Sequence, residues 1–322
     1  MLASIGVSVS HDPDADPETL LREADVAMYR AKRSDGYRLE LFDESLRREV
    51  TAHLDIERRL RDALPRKELS LVYQPLFPLS GDGAIGCEAL LRWDTGEDEP
   101  IGPSTFIPLA QESDLIAEIG DWVLDTACAH AARWQAPAQR VAAFVNVSAR
   151  DLTELDLATR VEQALSRHDL PAEALWLEVS ENSILRDPER ARATLEDVRR
   201  LGVRIALDRF GSGEARLSLP STLPVDMIKV DRALIAGLHE DESKRAVVLA
   251  LVALARAAGL QTVAVGVEND VQLRMAHELG CSIAQGFLLH PPCSPERVAL
   301  QAPRAVGSLA RWGPLARLHK RP

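Results

Sequence analysis

From Leu69 onward, the chain alternates short β-rich runs with longer helical stretches, and the alternation holds across about 230 residues. Eight runs read as strands: 70–77, 85–93, 141–148, 175–180, 203–208, 227–230, 262–267 and 282–289. Between them lie the helical stretches 117–135, 153–168, 188–201, 242–258 and 271–279, several opened by Asp or Pro. Gly202, Gly259 and Gly280 stand where a helix ends on a left-handed residue. A strict strand–helix alternation folds either as a (βα)8 barrel or as an open doubly wound sheet. Eight strands with no GxGxxG turn after the first favour the barrel, which carries its chemistry at the C-terminal ends of its strands.

A chain of 322 residues with 46% hydrophobic content buries one large core, or one core plus a fragment. Its net charge of -11 argues against a nucleic-acid partner, which needs clustered Lys and Arg, while leaving room for a phosphate ligand in a local pocket. The four cysteines, Cys87, Cys128, Cys281 and Cys293, form no CxxC pair and lack histidines at zinc spacing, so a reduced, cytoplasmic chain is expected. The longest apolar stretch, 246–255, is bracketed by Lys244, Arg245 and Arg256; it is too short to cross a bilayer and reads as a buried helix. The N-terminal MLASIGVSVS has none of the parts of a signal peptide, and no membrane segment is expected in the chain.

The first residues stand outside the alternation. Residues 1–42 hold one strand, SIGVSVS, and one amphipathic helix with Leu20, Leu21, Ala24, Ala27, Met28 and Ala31 on its apolar side, too little for a domain. Residues 43–66 form a charged helix read as a connector, either solvated or serving as a dimer or signalling helix. The barrel is expected over 67–303. A basic tail follows at 304–322, with five cationic residues and no acid.

Glu88, Asn146, Glu178, Asp208, Lys229 and Glu268 lie in, or close, successive apolar runs. Singly each has a plain account: Glu88 paired with Arg92, Asn146 capping a turn, Glu178 paired with an arginine. Together, three carboxylates and an amide at strand ends are hard oxygen donors suited to Mg²⁺, Mn²⁺ or Ca²⁺ rather than zinc. Lys229 adds a point charge for a phosphate or a metal-bound water. In RIALDRFG, 204–211, a second carboxylate beside Asp208 would let two metals share the site; the neighbour is instead Arg209, whose permanent charge competes with a second cation.

The strings YQPLF (73–77), EALLRW (88–93), FIPLAQES (106–113), NVSARDL (146–152), LEVSEN (177–182), FGSG (210–213), LPVDMIKVD (223–231) and QGFLL (285–289) resemble EAL domains, the phosphodiesterases of the bacterial second messenger cyclic diguanylate. The resemblance covers roughly 55–300 and implies a (βα)8 barrel with an irregular first strand. SIGVSVS and ADVAMYRAKRSDG resemble the last strand and helix of a GGDEF cyclase domain, whose signature this sequence lacks, so no cyclase activity is expected.

The resemblance implies a hydrolase in which two divalent metals activate a water that opens one phosphodiester bond and yields linear diguanylate. Glu88, Asn146, Glu178 and Asp208 match the ligands of the first metal, Lys229 the lysine near the attacking water, and Glu181 a glutamate that supports the loop after strand five. Gln74, Arg92 and Gln285 match nucleotide-binding residues. Two positions depart: Asp208-Arg209-Phe210-Gly211 stands for Asp-Asp-Phe-Gly, and Ala264-Val265-Gly266-Val267-Glu268 for Ala-Glu-Gly-Val-Glu. Arg209 and Val265 thus replace a second-metal partner and a glutamate used as ligand or base. Glu268 survives, yet strand alternation keeps it from serving for position 265 without a bulge or turn near Gly266. Glu214, Ala215 and Arg216 also replace a usual Tyr-Ser-Ser.

The expectation is a degenerate EAL domain that binds cyclic diguanylate or a signalling protein with little or no hydrolysis. It keeps Mg²⁺ or Mn²⁺ at one site, loses the second, and has Arg209 in reach of a phosphate. Two alternatives stay open: an active or weakly active phosphodiesterase, and a scaffold that binds neither metal nor nucleotide. A homodimer is a further expectation from the resemblance.

Overall fold

A computed structural model describes residues 3–10, 16–33, 39–80, 83–96, 100–135, 140–211 and 218–298. The chain divides into two compact units, Met1–Glu68 with Thr95–Leu115, and Leu69–Asp94 with Ile116–Pro322.

In the first unit β1 (Ile5–Val7) pairs in parallel with β2 (Leu39–Leu41), and α1 (Pro17–Arg33) lies across them. A Cβ on Gly6 would stand 2.1 Å from the Ala24 carbonyl oxygen, so glycine is what lets the helix approach. Asp43 caps α2 (Glu44–Ala63) by accepting from the Leu46 N–H at 2.8 Å. Leu46 and Val50 of α2 pack with Ala27 of α1, so the helix read as a connector supplies part of this unit's small core. A further helix, α3 (Pro103–Glu112), has no counterpart among the expected elements. Pro108 inside it breaks the helical signal in the sequence, while Pro103 in the first turn suits helix initiation.

The second unit is a closed barrel of eight strands: β3 (Leu69–Pro78), β4 (Gly86–Trp93), β5 (Ala142–Asn146), β6 (Leu175–Ser180), β7 (Arg204–Phe210), β8 (Met227–Val230), β9 (Gln261–Val265) and β10 (Ile283–Gln285). Neighbours follow chain order and β10 closes on β3. β3 runs antiparallel to both β4 and β10, and every other pairing is parallel. This is the expected (βα)8 fold with its irregular first strand. The helices between strands are α4 (Leu115–Arg133), α5 (Ala149–Thr153), α6 (Leu157–His168), α7 (Glu181–Leu185), α8 (Pro188–Arg200), α9 (Leu219–Thr222), α10 (Arg232–Ala236), α11 (Glu242–Ala257) and α12 (Asp270–Glu278). Among the described residues no helix is long and apolar enough to cross a membrane.

Strand alternation divides the core into two layers. Leu76, Phe144, Trp176, Ala206, Met227, Val263 and Ile283 fill the barrel interior, with the Phe144 and Trp176 rings stacked at 5.0 Å. Val145, Leu177, Val179, Leu207, Ile228 and Val230 face outward into the larger layer, under the helices.

Two expected elements end differently. The stretch 153–168 opens on the last residue of α5 and is helical again only from Leu157, because Asp156 accepts from the Thr159 N–H at 3.1 Å and starts α6 afresh. The run 282–289 is a strand only at Ile283–Gln285. Beyond it a Cβ on Gly286 would meet the Val267 carbonyl oxygen at 2.1 Å, and the N–H groups of Leu289 and His290 both donate to the Gly286 carbonyl. The apolar residues after Gln285 therefore form a turn. Residues 214–216 and the tail at 304–322 lie outside the described residues.

Candidate functional site

Each barrel strand contributes one side chain to a ring on the interior face: Gln74, Glu88, Asn146, Glu178, Asp208, Lys229, Val265 and Gln285, from β3 through β10 in order. Alternation selects them; on β4, Cys87 and Ala89 face the outer layer and leave Glu88 inside. Strand pairing sets Gln74 opposite Glu88, Asn146 opposite Glu178, and Val265 opposite Gln285.

Lys229 is the centre of this ring. Its Nζ lies 2.7 Å from Glu88 Oε2, 2.5 Å from Glu178 Oε1 and 3.7 Å from Asp208 Oδ1, and its side chain is 1% exposed. Asn146 Nδ2 donates to Glu88 Oε1 at 3.1 Å and Gln285 Nε2 to Glu88 Oε2 at 2.8 Å. Gln285 Nε2 also reaches Gln74 Oε1 at 3.4 Å, and Gln74 Nε2 donates to the His290 carbonyl at 3.2 Å. The His290 carbonyl has no signature in the sequence, since any residue supplies one; its place in the turn after Gly286 makes it useful.

These contacts pull the acids apart electrostatically. Burial alone would raise the Glu88 carboxyl, but the Lys229 charge and the bonds from Lys229, Gln285 and Asn146 hold it down at about 2. Glu178 goes the other way: burial first and the Glu88 charge second push it well above the usual carboxylate range, against the pull of Lys229. Burial also raises Asp208, with Lys229 opposing. Lys229 would be lowered by burial, yet Glu178, Glu88 and Asp208 hold it charged and raise it further.

Arg209 occupies an irregularity in the sheet. Pairing of β7 with β8 shifts between Leu207 and Phe210, and Arg209 takes a left-handed backbone, φ 52°. Its side chain is 69% exposed, with Nε 3.9 Å from Asp208 Oδ2. Val265 packs half-buried on the interior cluster, at the rim position of β9.

The remaining expected residues lie off the ring. The chain turns at Gly266, φ 79°, and Glu268 is exposed beyond it, its N–H donating to Gln272 Oε1 at 2.7 Å. Among the described residues no hydrogen bond joins Glu268 to the carboxylates. Glu181 opens α7 after the Ser180 cap. Arg92 lies on the same face of β4 as Glu88, two alternations further along, and its Nη1 donates to the Leu91 carbonyl at 2.8 Å.

Among the described residues no group of three or more His, Cys, Asp or Glu side chains is arranged as a metal cage. The cation among the carboxylates is the Lys229 ammonium. The donor set nevertheless fits one hard divalent ion: its oxygens are carboxylates and an amide, and Glu178 Oε2 is buried without a hydrogen-bond partner. Beside Asp208 the guanidinium stands against a second.

Residues 57–292 match the family model described as the EAL domain. A curated relative, the bifunctional diguanylate cyclase/cyclic di-GMP phosphodiesterase MucR of Pseudomonas aeruginosa, is 37% identical over 299 residues, which cover 92% of this chain and 43% of MucR. The signaling protein YkoW of Bacillus subtilis is 32% identical over 294 residues, 91% of this chain and 37% of YkoW. The chain thus spans less than half the length of either relative. Among solved structures, the PaMucR phosphodiesterase in complex with c-di-GMP aligns with a TM-score of 0.72 at 39% identity, covering 76% of this chain and 99% of that one. The EAL enzyme Bd1971, bound to cAMP and cyclic-di-GMP, aligns with a TM-score of 0.75 at 26% identity, covering 88% and 75%.

Proposed function

The chain belongs to the EAL domain family, and from that membership we propose that it is a receiver of cyclic diguanylate, binding the messenger with little or no hydrolysis. One observation carries the reading: seven polar members of the strand-end ring are assembled, while Arg209 and Val265 put a cation and an apolar side chain where further acids would serve a second ion. Gln74, Arg92 and Gln285 hold the nucleotide. Glu88, Asn146, Glu178 and Asp208 would hold one Mg²⁺ or Mn²⁺, which when bound supplies Lewis-acid polarisation of a phosphodiester oxygen. Lys229 keeps the carboxylates together and presents a positive charge to the phosphate. With valine at 265 and Glu268 exposed beyond the turn at Gly266, we assign no base for the attacking water among the described residues.

An active or weakly active phosphodiesterase is the second reading, favoured by the complete set of first-metal donors around Lys229. We read the N-terminal strand and helix as the remnant of a GGDEF domain without cyclase activity. Its setting is the cytoplasm, which suits four thiols free of disulfides. We read a homodimer or a signalling protein as its partner.

Calorimetric titration with cyclic diguanylate, run beside chromatography for linear product, tests the function. The expected result is micromolar binding with turnover about 10³-fold or more below that of an intact EAL enzyme, the scale of losing a base or an electrostatic group. Turnover matching an intact enzyme establishes the second reading instead. Absence of binding leaves a scaffold.

A further inference from the structure

We propose that Arg209 is an anion-binding residue that lets this chain take up its dinucleotide without a divalent metal. The inference rests on the reading that the barrel binds cyclic diguanylate, and adds how the phosphates are held.

Geometry comes first. In a regular strand the residue after Asp208 would face the helices, away from the ring. The irregular pairing between Leu207 and Phe210 and the left-handed backbone at 209 re-aim that side chain to the barrel rim, where it is 69% exposed and its Nε stands 3.9 Å from Asp208 Oδ2. The Asp208 carboxylate thus lies beside the guanidinium, most of which faces solvent. A guanidinium at the mouth of a polar pocket presents a planar fork of N–H donors that matches a phosphate, and does so without deprotonating.

Charge comes second. With every group ionised, Glu88, Glu178 and Asp208 stand against Lys229 and Arg209, so one net negative charge remains. An acid at 209 and another at 265 would set five carboxylates against Lys229 alone, four net negative charges. A phosphodiester approaching that ring would meet a more negative field than it meets here. Here the two side-chain cations already offset most of the acid, one buried beneath the carboxylates and one exposed above them. Val265 contributes to the same balance by adding no charge.

The measurement is the dissociation constant of cyclic diguanylate for the full chain, in excess EDTA and again in Mg²⁺, for the parent, Arg209→Gln and Arg209→Lys. The parent should bind with constants that agree within about threefold in the two buffers, because its cations are covalent. In EDTA, Arg209→Gln should bind about tenfold or more weakly, the size of a lost charge-assisted bond, and Arg209→Lys should fall between, keeping the charge and losing the fork. Thermal unfolding of the variants within a few degrees of the parent separates this loss from misfolding. A parent that binds in Mg²⁺ and not in EDTA overturns the inference while leaving the messenger-binding function intact. So does an Arg209→Gln variant that binds in EDTA as the parent does. A parent that binds in neither buffer removes both.

Discussion

Arg209→Asp combined with Val265→Glu should turn the chain into a metal-dependent hydrolase, raising formation of linear diguanylate in Mn²⁺ by about 10³-fold or more. Each substitution has a place to act. Aspartate at 209 sits beside Asp208 at the irregularity of β7, removing a positive charge and adding a carboxylate where a second ion would be held. Glutamate at 265 occupies the rim position of β9, paired with Gln285, whose Nε2 is 2.8 Å from Glu88 Oε2; it would project into the ring from the only strand that now adds an apolar group. The two belong to one machine, so either alone should do much less than their product suggests. Single-turnover assays on the parent, both singles and the double variant check this, with metal stoichiometry by calorimetry alongside. A double variant that binds two ions and stays inert would show that the defect lies elsewhere.

Lys229→Met should be the most destabilising single change in the ring. It leaves Glu88, Glu178 and Asp208 facing one another without the ammonium 2.7, 2.5 and 3.7 Å away. Removing one partner from a buried ion cluster removes about 3–5 kcal/mol of stability, a large part of the 5–15 kcal/mol typical of a domain. The pH dependence follows from the carboxylates. Glu178 and Asp208 already titrate above their ordinary values in the folded parent, and without the lysine that opposes this they would do so further. A raised folded pKa favours the folded state below the unfolded value and loses that contribution as pH rises through the folded one. The deficit of the variant should therefore shrink from pH 7 to pH 5. In the parent, Glu88 works in the opposite sense: its contribution is present above its ordinary 4.5 and is lost as pH falls through about 2. Urea midpoints of both proteins across this range decide the matter; a deficit under about 1 kcal/mol, or one that grows on acidification, contradicts the counter-ion role assigned to Lys229.

The barrel was legible because its strands are short, apolar and separated by helices with conventional caps, so the periodicity changes eight times without ambiguity. The strand-end residues were visible as polar interruptions of apolar runs, and the structure brings Glu88, Asn146, Glu178, Asp208 and Lys229 together. What the sequence could not give was partnership. Lys229 read as a charge for a phosphate or a bound water; that it is also the counter-ion of three acids, two of them 141 and 51 positions away in the chain, is visible only in the barrel. Gln74 and Gln285 were recognised only by resemblance, because a glutamine within a strand carries no periodic signal. Helix α3 was hidden by Pro108, and the end of β10 by apolar residues that continue through a turn permitted by Gly286. Glu268 looked adjacent to the site by count, and the turn at Gly266 sends it to the surface.

The left-handed backbone at 209 bears on reversibility. That conformation comes most easily to glycine, asparagine and aspartate, while a longer side chain holds it at about 1–2 kcal/mol. Arginine now stands in a bend suited to a short polar residue, φ 52°. Changes that add catalytic groups to a site ordinarily weaken the fold, because such groups are strained or poorly compensated. At this one position the two demands coincide on the backbone: aspartate would relax the chain as it adds the acid.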